Sequence, residues 1–83
     1  VTVAGRHPDA DIFLDDVTVS RKHASFLRHG SQFSVRDLGS LNGTFMAGER
    51  IEETVPLVDG SEVQVGKFHL TFYASRHDLP SSA

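Results

Sequence analysis

Apolar and polar residues alternate in short stretches along most of the chain. Phe68, Leu70 and Phe72 alternate with polar residues, and Phe33 and Val35 do the same earlier in the sequence. Alternation with a period of two is typical of β-strands that bury one face. No stretch shows the apolar spacing that marks an amphipathic helix. The pattern therefore predicts an all-β fold.

Glycine-containing turns divide the rest of the chain into further predicted strands. The predicted strands occupy residues 1–4, 11–14, 23–28, 32–36, 44–46, 49–51, 55–58, 62–65 and 68–72. Pro56 lacks a backbone donor, so residues 55–58 are predicted as an edge or irregular strand. Asp59 and Gly60 predict a hairpin turn that joins this strand to residues 62–65. We expect a meander of antiparallel strands.

Composition narrows the class of protein. The chain has 83 residues, no cysteine and a formal net charge of -3. This length allows one small domain, which we place at residues 1–73, followed by a flexible polar tail at 74–83. Without cysteine, neither a disulfide framework nor a thiolate zinc site is available. The negative charge argues against general nucleic-acid binding. No apolar run approaches the roughly 18 residues of a membrane span.

Two arginines and a serine between residues 6 and 21 combine positive charge with a hydroxyl group. Arg6, Ser20 and Arg21 supply two planar guanidinium forks and a short neutral donor. A phosphate group needs positive charge together with several convergent donors, which this set provides. The predicted strand at 11–14 separates Arg6 from Ser20, so both are expected in neighbouring loops at one end of a sheet.

A second loop, residues 37–45, contributes a tight turn and hydrogen-bonding groups rather than charge. Gly39 and Gly43 permit backbone conformations closed to other residues, and Asn42 with Gly43 is a strong turn signal. The Asn42 side chain offers both a donor and an acceptor, so it is suited to hold the main chain of a partner. Ser40 and the backbone amides around Leu41 are expected to face the same space.

The ordered combination of Gly5-Arg6, Ser20 with His23, and Asn42-Gly43 within GSLNGTF resembles the signature of forkhead-associated (FHA) domains. The resemblance extends from Val3 to about Phe72. It implies an antiparallel β-sandwich whose loops at one end bind phosphothreonine. Relatives carry one or two strands ahead of this region, so we expect a sandwich that lacks them. The sequence is also similar to those of actinobacterial FHA regulators of 2-oxoglutarate metabolism.

Two groups of site residues follow from the loops and the resemblance. The phosphothreonine-binding group comprises Arg6, Ser20, Arg21, Ser40, Leu41 and Asn42. The loop-shaping group comprises Gly5, His23, Gly39 and Gly43. Many relatives have threonine or serine where this chain has Leu41, so either the Leu41 amide or Ser40 is expected to replace that hydroxyl. Thr18 is expected close enough to Ser20 to touch the partner peptide.

The resemblance implies a phosphothreonine-dependent protein-binding module in Ser/Thr kinase signalling. It implies a cytoplasmic location, no catalytic activity and no cofactor or metal. The implied partners are a phosphothreonine-containing protein, a Ser/Thr kinase and metabolic enzymes. A phosphothreonine in a flanking segment of the same protein is a further implied partner.

Other interpretations of the same residues remain open at this stage. A phosphate-independent scaffold would leave Arg6 and Arg21 as ordinary surface arginines. A hydrolase would use Ser20 as nucleophile with His23 and Asp37 in support, although the sequence has no nucleophile elbow. The acids between residues 9 and 16 lack the glycine and terminal glutamate of a calcium loop, so they are interpreted as solvated turn residues.

Overall fold

A computed structural model of the chain describes residues 1–73, which form nine β-strands. The strands are β1 (Thr2–Gly5), β2 (Ile12–Phe13), β3 (Ala24–His29), β4 (Gln32–Asp37), β5 (Thr44–Met46), β6 (Glu49–Arg50), β7 (Val55–Leu57), β8 (Glu62–Val65) and β9 (Phe68–Thr71). The predicted all-β class is confirmed. Within this range no helix is long and apolar enough to cross a membrane. The tail predicted at 74–83 lies outside the described residues.

The strands form two sheets that pack as a sandwich. The five-stranded sheet has the order β2-β1-β3-β4-β7, and the four-stranded sheet has the order β6-β5-β8-β9. β1 and β2 pair in parallel, with Ala4 opposite Ile12. The other neighbouring pairs are antiparallel, as the sequence predicted. The predicted meander is wrong, because β1 pairs with β3, β4 with β7 and β5 with β8, which are not consecutive strands. The parallel pair arises because residues 6–11 carry the chain back along β1 before β2 begins.

The turn at Asp59–Gly60 differs from its prediction. β7 pairs with β4, whereas β8 pairs with β5 and β9, so this turn carries the chain from one sheet to the other. The predicted hairpin between residues 55–58 and 62–65 is therefore wrong. Gly60 adopts φ +90°, and its amide donates to the carbonyl of Phe72 at 2.7 Å. The reversal is present, but β7 and β8 lie in different sheets.

Small branched side chains fill the core between the sheets. The buried core cluster comprises Val19, Ala24, Val35, Ile51, Leu57, Val63 and Val65, with Phe26, Phe33, Leu70 and Phe72 among the partly buried residues around it. Val35, which the alternation predicts on a buried face, is fully buried, and Val63 and Val65 are buried with it. The loops that follow β1, β2 and β4 meet at one end of the sandwich, where hydrogen bonds hold them and the buried Val19 anchors the loop after β2 in the core.

Candidate phosphate-binding site

The main chain places Arg6 next to Ser20 and Arg21. The Arg6 amide donates to the Ser20 carbonyl at 3.0 Å, and the His7 amide donates to the Arg21 carbonyl at 3.3 Å. A Cβ atom on Gly5 would lie 2.0 Å from the Arg21 carbonyl oxygen, so only glycine allows this approach. Both arginine side chains are exposed to solvent. Two loops that are distant in sequence thus present two cations from adjacent backbone positions.

Ser20 connects these cations to the second loop. Its hydroxyl oxygen accepts a hydrogen bond from the Leu41 amide at 3.0 Å. A hydroxyl that accepts in this way keeps its own hydrogen for donation to an anion. Ser20 is half-buried, so the hydroxyl is held by the protein while the residue keeps contact with solvent. The Leu41 amide, predicted as a phosphate donor, here points at Ser20.

His23 is fully buried and joins the two loops. Its Nδ1 accepts from the Ser20 amide at 3.0 Å, and its Nε2 lies 2.7 Å from the Gly43 carbonyl oxygen. Because Nδ1 accepts, the proton belongs on Nε2, which donates to Gly43. The ring therefore holds both loops in one orientation. This geometry supports the structural role predicted for His23.

Asp37 organises the loop between β4 and β5. Its carboxylate accepts from the amides of Gly39 and Ser40, both at 2.9 Å, and from the hydroxyls of Ser40 and Thr44. Ser40 is buried, and its hydroxyl oxygen also accepts from the Gly43 amide at 2.9 Å. The Ser40 hydroxyl is thus engaged inside the loop, which favours a shaping role over the predicted contact with phosphate.

The electrostatics of Asp37 follow from these bonds. Burial alone would raise the pKa of its carboxyl, but the hydrogen bonds from Ser40, Thr44 and Gly39 outweigh burial and hold the pKa below its ordinary value. Asp37 is therefore ionised at neutral pH. An ionised carboxylate accepts these hydrogen bonds without having to donate one, which keeps the loop in a single arrangement.

Asn42 lies exposed at the tip of this loop, beside Leu41, which is also exposed. The neighbouring glycines adopt φ +79° at Gly39 and φ +89° at Gly43, as the predicted turn requires. The Asn42 side-chain nitrogen donates to the Thr18 carbonyl at 2.9 Å. The amide thereby contacts the first loop, and it retains a second donor hydrogen and an acceptor oxygen for other contacts.

The sequence analysis interpreted Asp16 only as a solvated turn residue and gave Lys67 no role, whereas the structure leaves Asp16 half-buried. Asp16 Oδ2 accepts from the Thr18 amide at 2.8 Å and from the Thr18 hydroxyl, and Lys67 Nζ lies 3.0 Å from Asp16 Oδ1. The bonds from Thr18, followed by that from Lys67, lower the pKa of Asp16 to about 2. An aspartate two residues before a threonine is a turn signal that would have found Asp16. No local signal marks Lys67.

The contacts of Ser20, His23 and Asp37 are not those of a hydrolytic relay. His23 faces the Ser20 amide and the Gly43 carbonyl with its two ring nitrogens, so neither nitrogen reaches the Ser20 hydroxyl. Asp37 bonds within its own loop rather than to His23. A nucleophile needs a base within hydrogen-bond reach. Between residues 1 and 73, no group of three or more possible ligands is arranged for a metal ion.

Comparisons with known proteins agree on one family. The family model of the FHA domain matches residues 2–66. An oxoglutarate dehydrogenase inhibitor of Corynebacterium jeikeium is 61% identical over 71 residues, which are 86% of this chain and 49% of that protein. The glycogen accumulation regulator GarA of Mycolicibacterium smegmatis is 61% identical over 71 residues, 86% of this chain and 44% of the relative. The chain thus spans about half the length of these curated relatives.

Solved structures show the same likeness. EmbR of Mycobacterium tuberculosis, in complex with a low-affinity phosphopeptide, superposes with a TM-score of 0.85 and 39% identity, over 89% of this chain and 20% of EmbR. A structure described as an analysis of phosphothreonine-dependent FHA domain interactions gives a TM-score of 0.79 and 30% identity, over 84% of this chain and 72% of that one. The similarity therefore covers the site loops as well as the sheets.

Proposed function

The chain belongs to the FHA domain family, and on that premise we propose that it is a phosphothreonine-dependent protein-binding module. The observation that carries the proposal is the convergence of two sequence-distant loops. The main chain of Arg6 contacts that of Ser20, and the Ser20 hydroxyl contacts the amide of Leu41 beside Asn42. These loops carry two exposed cations, the hydroxyl hydrogen of Ser20, and the remaining N–H and the oxygen of the Asn42 side chain.

Each residue has a distinct part in the proposed site. Arg6 and Arg21 bind the phosphate oxygens, because planar guanidinium groups form paired hydrogen bonds with tetrahedral anions. Ser20 donates its hydroxyl hydrogen to the same group, with the Leu41 amide orienting the hydroxyl from the other side. Asn42 holds the peptide main chain. Ser40 acts through the loop, since its hydroxyl bonds to Asp37 and Gly43.

The relatives suggest where such a module acts. One is named an oxoglutarate dehydrogenase inhibitor, another a glycogen accumulation regulator, and the EmbR structure holds a phosphopeptide. We propose that this chain acts in Ser/Thr kinase signalling in the cytoplasm. Its partners would be a kinase, a metabolic enzyme or a phosphothreonine in a flanking segment of the same protein. The domain itself contributes binding and no chemistry.

Calorimetry with a phosphothreonine peptide selected from a library tests the proposal. The wild-type domain is expected to bind the phosphorylated peptide and to show no measurable binding to the same peptide without phosphate. Arg6→Ala is expected to weaken binding by roughly 2–5 kcal/mol, because a charge-assisted pair would lose one partner. The phosphoserine version of the peptide tests the preference for threonine.

Arg28 supplies a matched control for this variant. It is an exposed arginine at the opposite end of β3, where it bonds to the Gly30 carbonyl and lies over the Phe33 ring. Arg28→Ala makes the same change in charge and should leave the affinity unchanged. Equal affinities for phosphorylated and bare peptide would contradict the proposal. They would instead favour the phosphate-independent scaffold, in which binding survives phosphatase treatment.

A further inference from the structure

We infer that Asp16, Thr18 and Lys67 form a clasp that positions the Asn42 side chain for the peptide main chain. The term clasp refers to these three residues. The inference rests on the proposed function, since it assigns residues that support the same binding site. Lys67 lies in the turn between β8 and β9, and it had no role in the site predicted from sequence.

Hydrogen bonds hold Thr18 from two directions. Asp16 accepts from the amide and the hydroxyl of Thr18. The Lys67 amide donates to the same hydroxyl oxygen at 3.0 Å, and Lys67 Nζ pairs with Asp16 at 3.0 Å. The Thr18 hydroxyl is thus donor to one element and acceptor from another, which fixes its rotamer and the backbone that carries it.

Gly66 allows the β8–β9 turn to approach this closely. A Cβ atom at residue 66 would lie 2.5 Å from the Thr18 hydroxyl oxygen and 2.8 Å from the Thr18 carbonyl oxygen. Gly66 also adopts φ +60°, a conformation that side-chain-bearing residues rarely adopt. The turn is therefore fitted against Thr18 by backbone shape as well as by hydrogen bonds.

The clasp reaches Asn42 through the main chain of Thr18. The Thr18 carbonyl accepts from the Asn42 side-chain nitrogen at 2.9 Å. A primary amide anchored through one N–H keeps its remaining hydrogen and its oxygen in a fixed plane. A fixed amide needs no ordering when a peptide binds, so the clasp improves affinity by preorganisation. Asp16 and Lys67 are accordingly positioning residues for Asn42.

The free protein provides a test that needs no ligand. Asn42 is the only asparagine in the chain, so its side-chain NH₂ signals in a ¹⁵N–¹H NMR spectrum have to be distinguished only from those of Gln32 and Gln64, which an Asn42→Ala spectrum does. Thr18→Val removes the hydroxyl at nearly constant shape and should shift and broaden these signals. Thr18→Ser retains the hydroxyl and should restore them. Thr71→Val, an exposed change at the far end of β9, should have no effect.

A double-mutant cycle tests the coupling to binding. Thr18→Val is expected to weaken binding of a phosphothreonine peptide about three- to tenfold, the range of one hydrogen bond. Asp16→Ala, a change outside the proposed contact surface, should have a similar effect. In an Asn42→Ala background both changes should alter the affinity less than twofold, because the group that they position is gone.

The outcomes separate the clasp from the proposed function. If Thr18→Val and Asp16→Ala weaken binding equally with and without Asn42, they act through the general fold or by direct contact, and the clasp is overturned. Unchanged Asn42 NMR signals in Thr18→Val would overturn it as well. If the wild-type domain binds no phosphopeptide, the proposed function fails, and the NMR comparison alone decides whether the clasp orders Asn42.

Discussion

At the residue scale, the buried ring of His23 has the largest expected effect on stability. The ring bonds to Ser20 on one side and Gly43 on the other. His23→Ala would leave both partners unsatisfied and open a cavity, so we expect a loss of roughly 3 kcal/mol in unfolding free energy. Urea denaturation followed by circular dichroism measures this loss.

His29 provides the comparison for this prediction. It is an exposed histidine at the end of β3 far from the loops, and His29→Ala should change the unfolding free energy by less than about 0.5 kcal/mol. His23→Gln keeps a donor and an acceptor, so its cost should fall between the two. Equal losses at residues 23 and 29 would show that the two hydrogen bonds of His23 contribute nothing to stability.

The sequence predicts the identity of these residues better than the direction of their contacts. Arg6, Ser20 and Asn42 were identified because their types and order carry the signature. The sequence could not show that the Ser40 hydroxyl bonds inward to Asp37, because an exposed and an engaged serine look the same in a loop. The Thr18 contact with peptide stays a prediction, since its hydroxyl is also engaged within the protein.

At the element scale, the loop between β4 and β5 should weaken in acid. The pKa of Asp37 is lowered in the folded state, so its carboxylate stabilises the fold above the unfolded-state pKa of about 3.9. This stabilisation is lost as the pH falls through the folded-state pKa. We expect the urea midpoint to drop below about pH 4, and to drop less in Asp37→Asn, which is already less stable at neutral pH.

Two controls tie the acid response to Asp37. Asp16 also has a lowered pKa, of about 2, and therefore contributes in the same acid range, so it is kept intact in both proteins. Asp15→Asn removes the same charge from an exposed carboxylate and should leave the acid response of the wild type in place. An Asp37→Asn profile parallel to that of the wild type would contradict the assignment to Asp37.

The sequence predicts the pairing of some neighbouring strands correctly and of others wrongly. The β3–β4 hairpin follows from alternation and the turn at Gly30, and the structure pairs these strands over six residue pairs. The turn at Gly60 has the same type of signal, yet it links two sheets. Turn residues indicate only that the chain reverses direction. Whether the flanking strands pair or stack depends on partners far away in sequence, such as β4 for β7.

At the scale of the whole molecule, long-range contacts complete the site. Lys67 meets Thr18 across 49 residues, and the main chains of Gly5 and Arg21 approach too closely for a side chain at residue 5. Gly5 was named from the signature, and the structure gives the steric reason. Lys67 has no such marker, because a lysine in a turn is ordinary in sequence. Contacts of this kind depend on how the two sheets stack.

Stability and recognition should separate in this architecture, because the core and the proposed phosphate contacts use different residues. Val35 is fully buried in the core of the sandwich, whereas Arg6 is exposed at its end. Val35→Ala removes two methyl groups and leaves a cavity, so it should lower the unfolding free energy by roughly 2 kcal/mol. Its affinity for the phosphothreonine peptide should stay within about twofold of wild type at temperatures where the variant is folded.

Arg6→Ala should give the opposite result. An exposed side chain contributes little to folding, so the unfolding free energy should change by less than about 0.5 kcal/mol while the peptide affinity falls sharply. Both variants are measured by urea denaturation and by calorimetry on the same preparations. If Val35→Ala weakened binding as much as Arg6→Ala does, the loops would depend on core packing. The polar contacts of His23, Asp37 and the clasp would then be insufficient to hold the site.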